Sequence, residues 1–183
     1  MDFDVLLIRR IKKSDEDAAE IFVRKYYEKI YKYCYIRIGN YGDAQDLVQN
    51  TFMKFFESID RYNHCGKALN YLYVIASNEC KDYFRKKKYT MVDIDKNKTN
   101  SFSDTYQNKL DSLNEIRKIE EKTEIREAIE KLPDELREVV VLFYFNDMKQ
   151  RDIAKILEIS LSLVKYRISR AKELLEEELK EEV

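Results

Sequence analysis

One proline and three glycines in 183 residues leave this chain few ways to turn sharply. Tight turns draw on glycine for positive φ and on proline for a preset φ. A fold of many short strands is therefore starved of connections, while long helices with brief joints are not. Apolar residues recur at three- and four-residue spacing through most of the chain, the mark of amphipathic helices. The expected class is all-α. Apolar residues make up 44% of the sequence, enough for a real core, and charged residues 38%, with both signs mixed.

The periodicity starts with a short stripe at Phe3, Leu6, Leu7 and Ile11. Ser14 then reads as an N-cap, followed by Asp15, Glu16 and Asp17 where the helix dipole favours carboxylates. That helix should run to Ile38 and stop at Gly39 and Asn40, with a stripe of Ile21, Phe22, Tyr26, Ile30, Tyr33 and Cys34. Asp43 reads as the cap of a second helix carrying Ala44, Leu47, Val48, Thr51, Phe52, Phe55, Phe56 and Ile59. A loop over residues 60–66 precedes a further helix over 67–88. The pattern fails around Tyr89, where a polar stretch offers too few apolar groups to repay its ordering entropy, apart from a short helix near Leu110. Pattern returns at Ile116, and Pro133 divides two later helices. The predicted organisation is two small helical domains, 1–89 and 116–183, joined by a polar linker over 90–115.

The net charge of −1 hides an asymmetry. Residues 1–90 carry an excess of about four positive charges and the remainder an excess of about five negative ones. Local patches, not the overall pI, therefore decide whether nucleic acid is a partner. Cys34, Cys65 and Cys80 lack metal spacing, and with His64 as the one histidine a four-ligand zinc site is not expected. The neighbours His64 and Cys65 read as a loop histidine beside a free thiol. No signal-type or membrane-spanning apolar run is present, so a cytoplasmic protein with reduced thiols is expected. No nucleophile–base set, phosphate-cradling glycine loop or metal cluster points to an enzyme, and no cofactor is expected.

The segment from Gln150 to Leu175 has helix-turn-helix form. A first helix ends near Leu157, a break follows at Glu158, Ile159 and Ser160, and a second helix begins at Leu161. Ala154 permits close crossing, with Ile153, Leu157, Ile159 and Val164 at the contact. Ser162, Lys165, Tyr166, Ser169 and Arg170 then fall on the outer face of the second helix, the face that enters a major groove.

On the 67–88 helix, Leu69, Leu72, Tyr73, Ala76, Cys80, Tyr83 and Phe84 fall on one side at 100° per residue. Tyr71, Val74, Asn78, Lys81 and Arg85 fall nearly opposite, with Lys86 to Lys88 at the end. A ring that stacks on bases, an amide for base edges and cations for phosphate can together track a single strand. The same line can also be a solvated face whose basic end complements the helix dipole. A DNA-reading segment on the same chain tilts the choice toward the strand. In the aromatic-basic run Lys25-Tyr26-Tyr27 and Lys32-Tyr33-Cys34-Tyr35-Ile36-Arg37 some rings are expected in the core, and the rest read as a contact surface or, more simply, as tyrosines with wet hydroxyls.

These motifs resemble the extracytoplasmic-function (ECF) group of sigma-70-type RNA polymerase sigma factors. Asp43-Ala44-Gln45-Asp46-Leu47-Val48-Gln49-Asn50-Thr51-Phe52 is similar to region 2.2, which grips the polymerase clamp helices. Leu69-Asn70-Tyr71-Leu72-Tyr73-Val74-Ile75-Ala76-Ser77-Asn78 is similar to the helix of regions 2.3 and 2.4, which opens and reads the minus-ten element. Leu132-Pro133-Asp134-Glu135-Leu136-Arg137 and the helix-turn-helix resemble region 4, which reads the minus-thirty-five element. The three occur in family order and cover nearly everything outside the linker.

The resemblance implies a region 2-like bundle and a region 4-like domain. It implies polymerase contacts at Asp46, Gln49 and Phe52, with the second domain touching the flap. It matches Asn78 to a residue that meets the opened minus-ten strand, beside Tyr71, Lys81, Arg85 and Lys86 from the helix face, puts base capture in the 60–67 loop, and matches Lys165, Tyr166, Ser169 and Arg170, beside Ser162 from the outer face, to positions that face the minus-thirty-five groove. The implied partners are core polymerase, promoter DNA and an anti-sigma protein. The chain departs from the family at Tyr71, where tryptophan is usual, and at Ser77, where arginine is. Ser162-Leu163 replaces Gly-Thr, and Asn146-Asp147 a glycine turn. A different reading is a helix-turn-helix regulator with an N-terminal sensing domain. It predicts a dimer on a palindromic operator, and the missing coiled-coil seam between the domains speaks against it.

Overall fold

A computed structural model describes residues 3–63, 67–92 and 123–181, and every regular element among them is helical. In chain order these are α1 (Phe3–Ile11), α2 (Glu16–Ile38), α3 (Tyr41–Glu57), α4 (Ala68–Val92), α5 (Thr123–Lys131), α6 (Asp134–Val140), a π-helical turn (Val141–Phe145), α7 (Gln150–Ile156) and α8 (Leu161–Glu181). The expected all-α class holds. His64, Cys65, most of the linker, the helix near Leu110 and the return at Ile116 lie outside the described residues.

Helix boundaries follow local chemistry, in places one to four residues from the predicted ones, α4 running on to Val92. Ser14 is not the cap of α2. It takes φ 61° to turn the chain out of α1, and Asp15 caps instead, accepting the Ala18 N–H at 3.0 Å. A carboxylate serves better there because its second oxygen accepts Arg10 Nε at 2.7 Å. At the far end Gly39 adopts φ 72° and donates to the Tyr35 carbonyl, a left-handed stop that costs glycine little. Asn40, not Asp43, caps α3, through Oδ1 on the Asp43 N–H at 3.0 Å. Asp43 is thereby freed within the first turn and accepts the Tyr83 hydroxyl at 2.7 Å.

α1 to α4 form a bundle around Phe22, whose ring stacks on Phe55 with centroids 4.7 Å apart. Phe22, Tyr26, Ile30, Tyr33 and Cys34 are buried as their spacing predicts, but Ile21 is exposed. In α1 the buried stripe is Leu7, Ile8 and Ile11, while Phe3 and Leu6 remain on the rim. Asp4 is buried and accepts from Lys25 Nζ at 2.6 Å and from the Tyr26 hydroxyl.

In the second half, Pro133 occupies the cap position before α6. The carbonyls left open at the end of α5 are met by Arg137, which donates to Ile129 O at 3.1 Å, Leu132 O at 2.9 Å and Glu130 O. The π-helical turn was not legible from periodicity. It ends at Asn146, whose side chain donates to Val141 O at 3.0 Å, and Asp147 then takes φ 50°. An aspartate thus makes the left-handed turn for which glycine is more usual, a conformation its short polar side chain tolerates.

The two halves do not keep separate cores. Val139, Val141, Leu142, Met148 and Ile153 belong to the same buried cluster as Leu7, Phe22, Leu72 and Tyr73. Among the described residues a second, smaller cluster, Leu132, Leu136, Val140 and Ala171, lies within the C-terminal half. Among the described residues no helix is long and apolar enough to cross a membrane.

Candidate nucleic-acid and polymerase interfaces

The helix-turn-helix has the expected internal contacts. Ile153 and Val164 are fully buried and Leu157 nearly so, with Ile159 packed against them. The turn passes through Glu158 at φ 54°. Ser160 Oγ accepts the Leu163 N–H at 3.1 Å and so caps α8. This fixes the helix entry without the Gly-Thr pair usual in the family. Ser162, Lys165, Tyr166 and Ser169 are all exposed on α8, and Tyr166 is 63% exposed. Arg170 is half-buried and pairs with Glu173 at 2.9 Å. Arg167, on the flank, reaches Glu135 of α6 at 2.7 Å and braces α8 against α6.

α4 departs from the simple wheel. Asn78, Lys81, Arg85 and Lys86 are exposed, so the polar line exists from Asn78 onward. Tyr71 is not on it as a free ring. It is half-buried, stacks on Tyr62 and donates to Ser58 Oγ. The segment after α3 folds back over the start of α4, which a single-helix projection cannot show. Ser77 and Glu79 are also buried, because α4 is covered on two sides. Glu79 pairs with Lys54 of α3, and Ser77 Oγ donates to Glu138 of α6 at 2.5 Å.

On α3, Asp46 and Gln49 are exposed. Phe52 is 5% exposed and lies in the main cluster, which corrects its expected place on the polymerase-facing edge. At the spacing 46, 49, 52 a helix turns roughly 300° per step, enough to carry the third residue from the outer face into the core.

Sequence reasoning missed a buried ionic group between the halves. Arg37 of α2 has a fully buried side chain and reaches Glu138 at 2.6 Å and Asp134 at 2.5 Å. Glu138 also accepts the Tyr33 hydroxyl at 3.0 Å. Burial works against the Arg37 charge, but the Tyr33 and Glu138 oxygens outweigh it and its pKa is raised. Burial holds the Tyr33 hydroxyl well above its usual range. Arg37 stood in the aromatic-basic run of α2, yet partners about a hundred residues away leave no periodic signal. Lys81, expected to meet DNA, lies 4.0 Å from Glu138. Among the described residues no group of acidic, His or Cys side chains is arranged to hold a metal ion.

Residues 22–90 match the family model described as Sigma-70 region 2, and residues 122–175 match that described as Sigma-70, region 4. The ECF RNA polymerase sigma factor SigW of Bacillus subtilis (strain 168) is 34% identical over 178 residues, which span 95% of this chain and 95% of that protein. Among solved structures, CnrH in complex with the cytosolic domain of CnrY superposes with TM-score 0.73 at 20% identity, covering 100% of both chains. The sigma factor RpoE in complex with the anti-sigma factor NepR from Bartonella quintana gives 0.69 at 21%, over 88% of this chain and 96% of that one. At such identities the two structural likenesses speak for the fold alone.

Proposed function

The chain belongs to the ECF group of RNA polymerase sigma factors, and from that membership we propose a division of labour between its surfaces. The family role is to direct RNA polymerase to particular promoters in transcription initiation. In our reading, α4 captures the opened minus-ten strand through Asn78, Lys81, Arg85 and Lys86, with Tyr71 and its partner Tyr62 as a stacking platform. α8 reads the minus-thirty-five duplex through Ser162, Lys165, Tyr166, Ser169 and Arg170. Asp46 and Gln49 on α3 meet the polymerase clamp, while the C-terminal domain touches the flap. Recognition and strand capture need no chemistry from the protein itself. It works in the cytoplasm, where polymerase is. The boundaries we propose are 1–89 for the first unit, 90–115 for the linker and 116–183 for the second.

The observation that carries this reading is the presence of two outward basic faces on different helices, one around Asn78 and one around Lys165. Each alone is a small footprint, so affinity depends on tethering both to polymerase, which raises their effective concentration. The co-structures of related sigma factors with anti-sigma partners support an anti-sigma protein as a further partner of this chain. The sensor-regulator alternative is not favoured, because the region 2 match occupies 22–90, where a sensing domain would have to lie. Run-off transcription with purified core polymerase on randomised promoters tests the proposal. Product that ignores both upstream elements would overturn it.

A further inference from the structure

We propose that Lys12, at the end of α1, is a positioning residue for strand capture: it clasps the turn after α3 and so sets Tyr62 against Tyr71. The inference rests on the proposed role of those two rings as a stacking platform, and adds the group that holds one of them in place.

The turn has little to hold it from within. Past the C-cap Ser58 the chain leaves the helical ladder of α3. The Arg61 and Tyr62 amides close the turn on Ser58 O at 3.1 and 3.0 Å. Ile59 is buried, whereas Asp60, Arg61 and Asn63 are exposed. One apolar anchor and exposed backbone bonds are marks of a segment that opens locally. Lys12 supplies a support from another helix. Its Nζ donates to Tyr62 O at 2.9 Å and to Asp60 O at 3.3 Å, across 50 and 48 residues of sequence. An ammonium carries three donors, so one side chain can clasp the two carbonyls that flank Arg61. The clasp acts on the backbone of Tyr62 itself, whose ring lies 4.8 Å from that of Tyr71 and 5.6 Å from that of Phe55.

The base of Lys12 is itself fixed. Its neighbour Ile11 is buried in the bundle with Leu7 and Ile8. Beyond Lys12 the chain reverses through Ser14 at φ 61°, and Arg10 Nε ties back to Asp15 Oδ2 at 2.7 Å. Asp15 also caps α2. The turn carrying Lys12 is thus held on both sides, and the lysine passes that fixed position on to the loop. Two carbonyls occupy two of its donors, so the ammonium is turned to the loop and not to an approaching phosphate. Lys12 also precedes residues 22–90, the segment that matches the region 2 model. Its role follows from the contact and not from the family match.

The test uses the full chain. Lys12→Met removes the donors and keeps the stem, while Lys12→Arg restores them. Tryptic cleavage after Arg61 in the free chain, followed by mass spectrometry, reads the freedom of the loop. Fluorescence anisotropy of holoenzyme on a labelled minus-ten oligonucleotide, taken from a promoter selected by run-off, reads strand affinity at several salt concentrations. Lys12→Met should speed cleavage after Arg61 and weaken strand binding by up to about tenfold, the value of one stacked base. Lys12→Arg should return both to near wild type. In a Tyr62→Ala background Lys12→Met should cost nothing more, since the ring it positions is gone. The salt slope should stay unchanged. A slope lowered by about 0.7, the single-strand value for one phosphate, would overturn the positioning role and make Lys12 a direct contact. Losses that add to those of Tyr62→Ala, or cleavage at the wild-type rate, would overturn it too. Circular dichroism should show full helix content for Lys12→Met, because the side chain is exposed. Lost helicity would mean that Lys12 supports the whole bundle and has no specific role in the loop. If Tyr62→Ala alone leaves strand affinity intact, the platform reading fails and the inference with it. If Tyr62→Ala impairs binding and Lys12→Met does not, the platform stands and the role of Lys12 alone is overturned.

Discussion

The rings of Tyr62 and Tyr71 stack with centroids 4.8 Å apart, and the Tyr71 hydroxyl donates to Ser58 Oγ at 3.2 Å. Tyr71 is therefore held by the chain before any base arrives. If the two rings act as one platform, their losses are not additive. Tyr62→Ala and Tyr71→Ala should each weaken capture of the opened strand by about tenfold, as expected for loss of one stacked base, and the double change should cost little more. Tyr71→Phe keeps the stack and should stay near wild type. Strictly additive losses in an open-complex assay would show that the rings work separately.

Asn78 is the exposed amide on the polar line of α4. It offers a donor and an acceptor to base edges. Opening a base step costs a few kcal/mol, so a lost contact matters most where the duplex must still melt. Asn78→Ala should reduce open-complex formation on paired promoters and recover on a pre-melted bubble. Permanganate reactivity of thymines checks it. Equal reactivity on the closed template would reduce Asn78 to a solvated helix residue.

Asp46 and Gln49 are exposed on α3 while Phe52 is buried, so neighbouring substitutions should fail in different ways. Asp46→Ala with Gln49→Ala should lower affinity for core polymerase in competition without loss of helix. Phe52→Ala should instead destabilise the bundle by about 3–5 kcal/mol, the usual cost of emptying an aromatic core site. Thermal unfolding separates the two. A Phe52→Ala chain with wild-type stability and impaired binding would restore that residue to the interface.

Lys165 projects from the exposed face of α8. Lys165→Ala should weaken binding of the holoenzyme to promoter DNA, and if Lys165 meets phosphate the salt slope should fall by about one. Arg170→Ala should impair transcription from promoters that depend on the minus-thirty-five element. Because Arg170 pairs with Glu173 in the free chain, Glu173→Gln should leave that transcription intact or raise it. Normal output from Arg170→Ala would show that the recognition face is misplaced.

Glu158 holds φ 54° in the turn between α7 and α8. A non-glycine residue there is strained by roughly 1–2 kcal/mol, partly offset in a glycine by the entropy of its unfolded state. Glu158→Gly should stabilise the chain by about 0.5–1 kcal/mol and raise Tm by roughly 1–4 °C. A fall in Tm would mean that the Glu158 side chain contributes more than its backbone costs.

The sequence by itself determined the helical class and the approximate elements, since amphipathic spacing and scarce turn residues act locally. It also placed the exposed face of α8. That helix packs on one side only in its first turns, so Val164 and Ile168 go inward and Lys165 and Tyr166 are left outside. Gly39 and the turn at Glu158 were legible for the same reason, as each depends on a few adjacent residues.

Only the tertiary structure decided what lies against α4 and α2. A helix covered on two sides has no single outer face, so Ser77 and Glu79 are buried where a wheel marks no apolar residue. Tyr71 leans on a loop that no periodicity describes. Arg37 is one cation in an aromatic-basic run near the end of α2, and its burial follows from Asp134 and Glu138, which arrive from the other half of the chain. A charge can be buried only where opposite charge and hydrogen-bond partners converge. That convergence is set by how the two halves dock, and local sequence carries no record of it.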